Sequence, residues 1–153
     1  MINAAVWLLL HMGVAWLGTQ LPADWFRPYA WLFRVRNIEK EGAVYQQFFR
    51  VKCWKDLLPD GASWFQRGFP KGSMSAADTG YLQRFLVETC RGEAVHWVVF
   101  GCAGLFFLWN TAGVGWVMLA YAACANLPCI AVQRYNRARL AGLLGRQKSR
   151  SAR

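Results

Sequence analysis

The chain has 153 residues, enough for one domain, and 56% of them are hydrophobic while only 17% are charged. In soluble domains roughly a quarter of the residues are charged, so this composition excludes an ordinary water-soluble domain and favours a membrane protein. The net charge of +10 is concentrated in residues 133–153, which carry seven basic and no acidic residues. We therefore expect this basic tail to meet an anionic membrane surface, and we expect no nucleic acid as a partner.

The first predicted element is an apolar helix over residues 2–21, a stretch without a charged residue. About 20 residues at about 1.5 Å each cross the roughly 30 Å hydrocarbon core of a bilayer. A secretory signal peptide is the alternative, but no Lys or Arg precedes the run, and the sequence that follows it makes a poor cleavage site. We interpret the run as a retained span and keep the signal peptide as the open alternative.

Residues 22–93 form a predicted cytoplasmic loop with interfacial amphipathic helices. Aromatic and arginine side chains interleave from Trp25 to Arg36, and a second such stretch runs from Tyr45 to Trp54. This pattern is typical of a segment that lies among lipid headgroups. Further along, Ser75 and Asp78 resemble a capping box, which predicts the start of a helix that leads into the membrane.

An uncharged run from residue 94 to residue 132 is too long for one span and sufficient for two. The sequence Asn-Thr-Ala-Gly at 110–113 marks the turn, so spans are predicted at 94–109 and 114–132. The positive-inside rule places the loop and the tail in the cytoplasm, and the N-terminus and the turn outside. The predicted fold is a single all-α integral membrane domain, residues 1–153, with three transmembrane helices in the cell membrane.

One helical face before the second span carries the candidate catalytic groups. These are Glu93 and His96, and the candidate substrate-binding residue Thr89 lies within about 60° of them on the helix, close to the membrane edge. Glu93 can fix the imidazole tautomer of His96, so that the other ring nitrogen takes a proton from a hydroxyl. A hydrogen-bonded interfacial histidine without a catalytic role is the alternative. A metal site is not expected, because the only other histidine, His11, lies in the far half of the first span.

Two further polar faces complete the predicted site. Glu88 and Arg91 have the spacing of a helical ion pair, which is either a solvated face or part of a binding surface. The third span and the start of the tail carry a facing stripe of candidate substrate-binding residues: Asn126, Gln133, Asn136 and Arg137. Because polar groups are costly in a membrane, two such stripes at one depth predict a shared pocket. A structural alternative is that Asn126 only holds a neighbouring helix.

Three stretches of the sequence resemble the glycosyl-4,4'-diaponeurosporenoate acyltransferase family, which acts last in the pathway to staphyloxanthin-type carotenoids. They are residues 17–27 (LGTQLPADWFR), 88–97 (ETCRGEAVHW) and 126–140 (NLPCIAVQRYNRARL). The resemblance implies a small membrane enzyme that transfers a fatty acyl group onto the sugar hydroxyl of a glycosylated carotenoid. Departures from the family pattern spare Glu93 and His96; they lie at Gly92, Val95 and Ala138.

These observations predict an acyltransferase mechanism. His96, oriented by Glu93, removes the proton from the sugar hydroxyl, which attacks an acyl thioester of coenzyme A or of an acyl-carrier protein from the cytoplasm. The developing oxyanion is held by a side-chain amide, that of Asn126, Gln133 or Asn136. The phosphates of the donor are attracted by three arginines: Arg134, Arg137 and Arg139. No further cofactor and no metal are expected.

The expected partners are the lipid acceptor, the thioester donor and the membrane, together with a complex of other lipid or carotenoid biosynthetic enzymes. Two other functions fit the same sequence features. One is a membrane transferase that acylates or methylates a different lipid, which product analysis would distinguish. The other is a non-catalytic protein that binds a lipid or an enzyme complex through its aromatic loop, and it would tolerate the loss of His96 and Glu93.

Overall fold

A computed structural model of the protein describes residues 2–58 and 79–151, and the regular elements of these residues are all helical. The α-helices are α1 (Ile2–Gln20), α2 (Ala43–Phe49), α3 (Val51–Trp54), α4 (Thr79–Cys102) and α5 (Ala112–Ser151). Tighter 3₁₀ turns lie at Ala23–Trp25, Asn37–Gly42, Lys55–Leu57 and Ala103–Leu108. The predicted all-helical class is confirmed for these residues. The predicted capping box at Ser75 and Asp78 lies outside them.

Among the described helices, two are long and apolar enough to cross a membrane, α1 over Ile2–Gln20 and α5 over Ala112–Gln147. The predicted span at 94–109 has a different form. There α4 ends at Cys102 and the chain continues as a 3₁₀ turn, in which i→i+3 hydrogen bonds replace i→i+4 bonds. In addition, α5 does not end at residue 132 but continues to Ser151, so the predicted basic tail is an extension of this helix.

The three long helices are tied together at both ends. Near the turn between α4 and α5, Asn3 Nδ2 of α1 donates to Asn110 Oδ1 at 3.0 Å. At the opposite end, Arg91 Nη1 of α4 donates to the Thr19 carbonyl at 3.4 Å, which satisfies one of the unpaired carbonyls at the end of α1. Helix α1 therefore runs antiparallel to α4 and parallel to α5.

Two apolar clusters hold these helices together. The first, here called the turn-end cluster, lies near the α4–α5 turn and consists of Trp7, Val99, Ala103, Phe106 and Ala122. The second, the tail-end cluster, joins the start of α4 to the end of α5 and consists of Leu82, Phe85, Leu86, Leu140 and Leu144. Within α4 these residues recur at spacings of three and four, which places them on one face of the helix. That face is turned towards α5.

The described part of the segment between α1 and α4, residues 21–58, folds into short helices and turns that lie against α4 and α5. Phe26 and Phe33 are buried against Cys90 of α4. At Gly42 the backbone is left-handed (φ 89°), and an added Cβ would lie 3.2 Å from Tyr135 Cδ2 of α5. Glycine is needed here both for this conformation and for the close approach. Other aromatic side chains of the segment are exposed: Trp25, Tyr29, Trp31, Phe48 and Phe49.

Candidate active site

The polar stripes predicted on α4 and α5 face each other, as the spacing indicated. His96 Nδ1 lies 3.0 Å from Asn126 Oδ1 across the helix pair. Gly92 leaves room for Gln133, because a Cβ at Gly92 would lie 2.9 Å from Gln133 Nε2. Six residues form this meeting point, here called the polar cluster: Glu93, His96, Asn126, Gln133, Arg134 and Arg137.

Glu93 is the most heavily paired member of the polar cluster. Its side chain is 1% exposed, and Oε1 accepts hydrogen bonds from Arg134 Nη1 at 3.0 Å and from Trp97 Nε1 at 3.3 Å. Oε2 accepts a bond from Arg137 Nη2. A buried carboxylate requires such partners, since desolvation of an unpaired charge costs several kcal/mol. Two arginines and a tryptophan thus hold Glu93 in place, and its predicted role in orienting His96 stays a prediction.

Asn126 orients His96 from the facing helix. Asn126 Nδ2 donates to the Ala122 carbonyl at 3.0 Å, and this bond turns Oδ1 of the same amide towards His96 Nδ1. An amide oxygen only accepts, so Nδ1 must carry the proton that it shares with Asn126. In the neutral ring, Nε2 then carries the lone pair that a general base needs.

Arg137 lies at the centre of the buried contacts. It is 1% exposed, and besides Glu93 its guanidinium contacts Cys90 Sγ at 3.6 Å and lies 5.7 Å from the centre of the Phe33 ring. Within the described part of the chain its Nε has no hydrogen-bond partner. The expectation that Arg137 attracts donor phosphates does not fit this placement, because the guanidinium is enclosed and already neutralised by a carboxylate.

Glu39, in the loop, also pairs with the polar cluster, and this contact was not predicted from the sequence. Its Oε1 accepts from Arg134 Nε at 3.0 Å and from the Tyr45 hydroxyl at 2.6 Å, while Oε2 accepts from the Arg36 backbone N–H at 2.6 Å. Arg134 thus bridges two carboxylates, Glu39 and Glu93. The only local signal was the three-residue spacing from Arg36, which is that of a capping box.

In the loop part of this network, the pKa values of Glu39 and Tyr45 are shifted. Burial alone would raise the pKa of Glu39, but the hydrogen bonds from Tyr45, from the Arg36 backbone and from Arg134 outweigh it and hold that pKa below its ordinary value. Burial and the hydrogen bond to Glu39 raise the pKa of Tyr45 to about 12. The two carboxylates are matched by two guanidiniums, so the network is neutral near pH 7.

The remaining predicted site residues have structural contacts. Arg91 caps α1 through Thr19, lies 5.1 Å from the centre of the Phe26 ring and pairs with Glu88 at 3.5 Å. The buried Thr89 hydroxyl donates to the Leu86 carbonyl at 2.6 Å. Gln133 Oε1 is buried and has no partner among residues 2–58 and 79–151, while Asn136 is half-buried on the flank of the stripe. A substrate-binding role for these residues stays a prediction.

Chemically, the polar cluster combines an oriented imidazole with a neutral set of buried ion pairs and two side-chain amides. Such a set can move a proton and can hold a developing negative charge. Within the part of the chain that the structure describes, no three His, Cys, Asp or Glu side chains come together as a metal-binding group.

Fold and cluster together define a class: a small helical protein with two helices able to cross a membrane and a charge-paired polar cluster between two antiparallel helices. The profile of one family, described as glycosyl-4,4'-diaponeurosporenoate acyltransferase, matches residues 22–146. Relatives of that name from Staphylococcus aureus strains N315 and USA300 are 33% identical over 147 residues, which cover 96% of this chain and 88% of each relative. The relative from strain Newman is 33% identical over 138 residues, 90% of this chain and 83% of its own length.

The chain therefore belongs to the glycosyl-4,4'-diaponeurosporenoate acyltransferase family, and the resemblance of its three sequence stretches is confirmed. The matched region includes the loop residue Glu39 and all six residues of the polar cluster. No solved structure matches the chain.

Proposed function

We propose that this protein transfers a fatty acyl group from a cytoplasmic thioester to a sugar hydroxyl of a glycosylated carotenoid at the surface of the cell membrane. The main support for this proposal is the similarity to relatives that are named for this acyl transfer. The alignment with them covers 96% of the chain. The polar cluster supports it, since an oriented histidine and buried amides are the groups that acyl transfer requires.

The proposed topology has three crossings, with the loop and the C-terminus in the cytoplasm. Helices α1 and α5 supply two of them, and the apolar end of α4 with its 3₁₀ turn supplies the third. The contact between Asn3 and Asn110 supports this arrangement, because it joins the two ends that are predicted to lie outside. The charged residues of the loop and of the end of α5 then lie on the cytoplasmic side, where thioester donors are made available.

In the proposed reaction, His96 Nε2 takes the proton of the sugar hydroxyl while Asn126 holds Nδ1–H. The alkoxide oxygen forms a bond to the thioester carbonyl carbon, and the carbonyl oxygen becomes the oxyanion of the tetrahedral intermediate. Because Asn126 already serves His96, the amides of Gln133 and Asn136 are the proposed oxyanion donors. The C–S bond then breaks, and the thiolate leaves with the proton returned by His96.

Of the three arginines predicted to attract the donor phosphates, Arg139 is the one that keeps this role in the proposal. Arg134 and Arg137 are paired with carboxylates, whereas Arg139 is exposed and donates to the uncharged Tyr135 hydroxyl at 3.0 Å. Arg139 therefore keeps a net positive charge that can attract coenzyme A or the phosphopantetheine arm of a carrier protein. A complex with other carotenoid biosynthetic enzymes fits the exposed aromatic side chains of the loop.

The proposal is tested by expressing the full chain in a host that makes a glycosylated carotenoid but does not acylate it. Mass spectrometry of the extracted lipids should show a new carotenoid whose mass increases by one fatty acyl residue. A host with the empty vector is the control. An unchanged carotenoid, with the protein present in the membrane fraction, would contradict the proposal, and an acyl group on another glycolipid would assign a different acceptor.

A further inference from the structure

A groove of about 640 Å³ opens between α1 and α5, in the half of the molecule that holds the turn-end cluster. Its volume lies within the range of about 300–1,000 Å³ that is usual for small-molecule sites. The acyl transfer steps described above do not use it. We propose that this groove binds the conjugated hydrocarbon chain of the lipid acceptor, while the sugar of the same molecule reaches His96. This inference rests on the proposed function.

The floor of the groove is built in advance of any ligand. Trp7 is 6% exposed, its Nε1 donates to Met118 Sδ at 3.3 Å, and its ring stacks on Phe106 with 4.6 Å between the ring centres. His11 Nδ1 lies 2.9 Å from the Trp7 carbonyl and donates its proton to it. Side chains that are already fixed lose little conformational entropy when a ligand binds, so this floor is preorganised.

The wall of the groove favours a flat, conjugated chain. The ring centres of Trp7 and Tyr121 are 5.2 Å apart, those of Trp7 and His11 are 5.3 Å apart, and those of His11 and Tyr121 are 6.4 Å apart. Aromatic rings gain specific π contacts with a planar conjugated system in addition to buried apolar area. A saturated phospholipid chain offers only the apolar area. The acceptor of the proposed reaction supplies the conjugated chain.

The direction of the groove fits a long chain whose head lies at the polar cluster. Its α1 wall runs from Asn3 to His11, about 12 Å along the helix axis at about 1.5 Å per residue. Tyr121, on the other wall, is only about 7.5 Å of helix rise from Asn126. Trp7 also packs against Ala122, whose carbonyl fixes the Asn126 amide. We infer that a rod-like chain parallel to the helices has its head at about the level of Asn126, from which the sugar reaches His96.

Two adjacent alanines of α1 provide a matched pair of variants. Ala4 lines the groove, whereas Ala5 is also exposed but lies outside the lining. We expect Ala4→Phe to fill the groove and Ala5→Phe to leave it open. A second groove-filling variant, Val117→Phe, changes the opposite wall at a residue that is 60% exposed and so tolerates a larger side chain.

The measurement uses the full chain in phosphatidylcholine nanodiscs, incubated with the glycosylated carotenoid and separated from free pigment. Visible absorption gives the carotenoid retained per protein, and mass spectrometry gives the retained phospholipid. Ala4→Phe and Val117→Phe should lower carotenoid retention about tenfold, which corresponds to about 1.4 kcal/mol. They should raise the KM for this acceptor to the same extent, without changing the KM for the thioester donor. Ala5→Phe should match the parent in each measurement.

Other results would overturn the groove assignment, assign the groove to bulk lipid, or separate the groove from the proposed function. Parental retention by both groove-filling variants, with intact thermal unfolding, would overturn the groove assignment, as would equal losses in Ala4→Phe and Ala5→Phe. A loss of phospholipid with unchanged carotenoid would assign the groove to bulk lipid instead. If the parent retains carotenoid through the groove but never acylates it, the proposed function fails while the groove assignment stands.

Discussion

The two halves of the helical bundle are held together by different physics. Near the α4–α5 turn, Trp7, Phe106 and their neighbours pack ring against ring, and the polar contacts there join neutral amides. In the other half, the buried carboxylates of Glu39 and Glu93 pair with the guanidiniums of Arg134 and Arg137. A substitution in the charged half therefore removes a partner as well as a side chain. Function and stability are therefore coupled in that half.

The largest effect on stability is expected for Glu93→Gln. The amide keeps the shape of the side chain but leaves the enclosed Arg137 guanidinium without its counter-ion, and breaking a buried pair in this way costs about 3–5 kcal/mol. Thermal unfolding of the purified protein in detergent would show a strongly lowered midpoint.

Glu41→Gln is the matched control for that substitution. Glu41 pairs with Arg146 at 2.6 Å, but their side chains are 60% and 56% exposed. Exposed pairs contribute at most about 1 kcal/mol, so the midpoint should hardly change. Equal effects of Glu93→Gln and Glu41→Gln would contradict the distinction between a buried and an exposed ion pair.

A second pair of variants compares the half that contains the polar cluster with the half that contains the turn-end cluster. Asn126→Leu removes the oxygen that holds His96 Nδ1–H, and we expect kcat to fall at least about tenfold, because a positioned general base contributes about 10²–10⁴-fold. Asn110→Leu removes comparable amide bonds to Asn3 and should cost about 1 kcal/mol of stability without changing kcat. Steady-state kinetics and thermal unfolding distinguish the two. A parental kcat for Asn126→Leu would show that His96 is not oriented through this contact.

The smallest effect is expected in the pH dependence of stability. Because its hydrogen bonds lower the pKa of Glu39 below the ordinary value of 4.5, this carboxylate stabilises the folded state above that pH, and the contribution disappears as the pH falls through the lowered pKa. Glu39→Gln should therefore lose less stability than the parent between about pH 5 and pH 3. Unfolding midpoints across this range provide the measurement, and parallel curves would contradict the assignment.

At the alkaline end the sign is the reverse. Burial and the bond to Glu39 raise the pKa of Tyr45 from 10.0 to about 12, so the protonated phenol stabilises the folded state below pH 10 and this contribution is lost as the pH rises to about 12. Tyr45→Phe should remove that alkaline loss in unfolding midpoints measured against pH. It should also weaken the acid loss, because the Tyr45 hydroxyl is one of the donors that lower the pKa of Glu39.

Much of the molecule could be predicted from periodicity. The charge-free run after Ala94 required two apolar segments and a turn, and helical spacing placed Glu93 and His96 on the face that meets α5. The form of the second segment could not be predicted, because an apolar run does not specify whether i→i+3 or i→i+4 bonds form at Ala103–Leu108. The continuation of α5 through the basic residues was missed for a similar reason, since charge does not end a helix.

The ion pairs within the site could not be predicted from the sequence. The spacing of Glu93 and His96 predicted a hydrogen bond within one helix, but it gave no sign that the long side chains of Arg134 and Arg137 reach Glu93 from the other helix. Glu39 contacts Arg134 across 95 positions of sequence, and no local pattern encodes such a contact. Only the packing of the loop against α5 at Gly42 brings the two together.

We propose that His96 of the polar cluster is the base of the acyl transfer. It is tested most directly by the kcat of His96→Gln, purified in lipid nanodiscs and supplied with the acyl thioester and the glycosylated carotenoid. We expect a loss of at least about 100-fold, within the range for removal of a general base. Val98→Ala, at a residue of the same helix that is 53% exposed, should keep the parental rate. A His96→Gln protein that unfolds at the parental temperature and acylates at the parental rate would show that His96 is not the base.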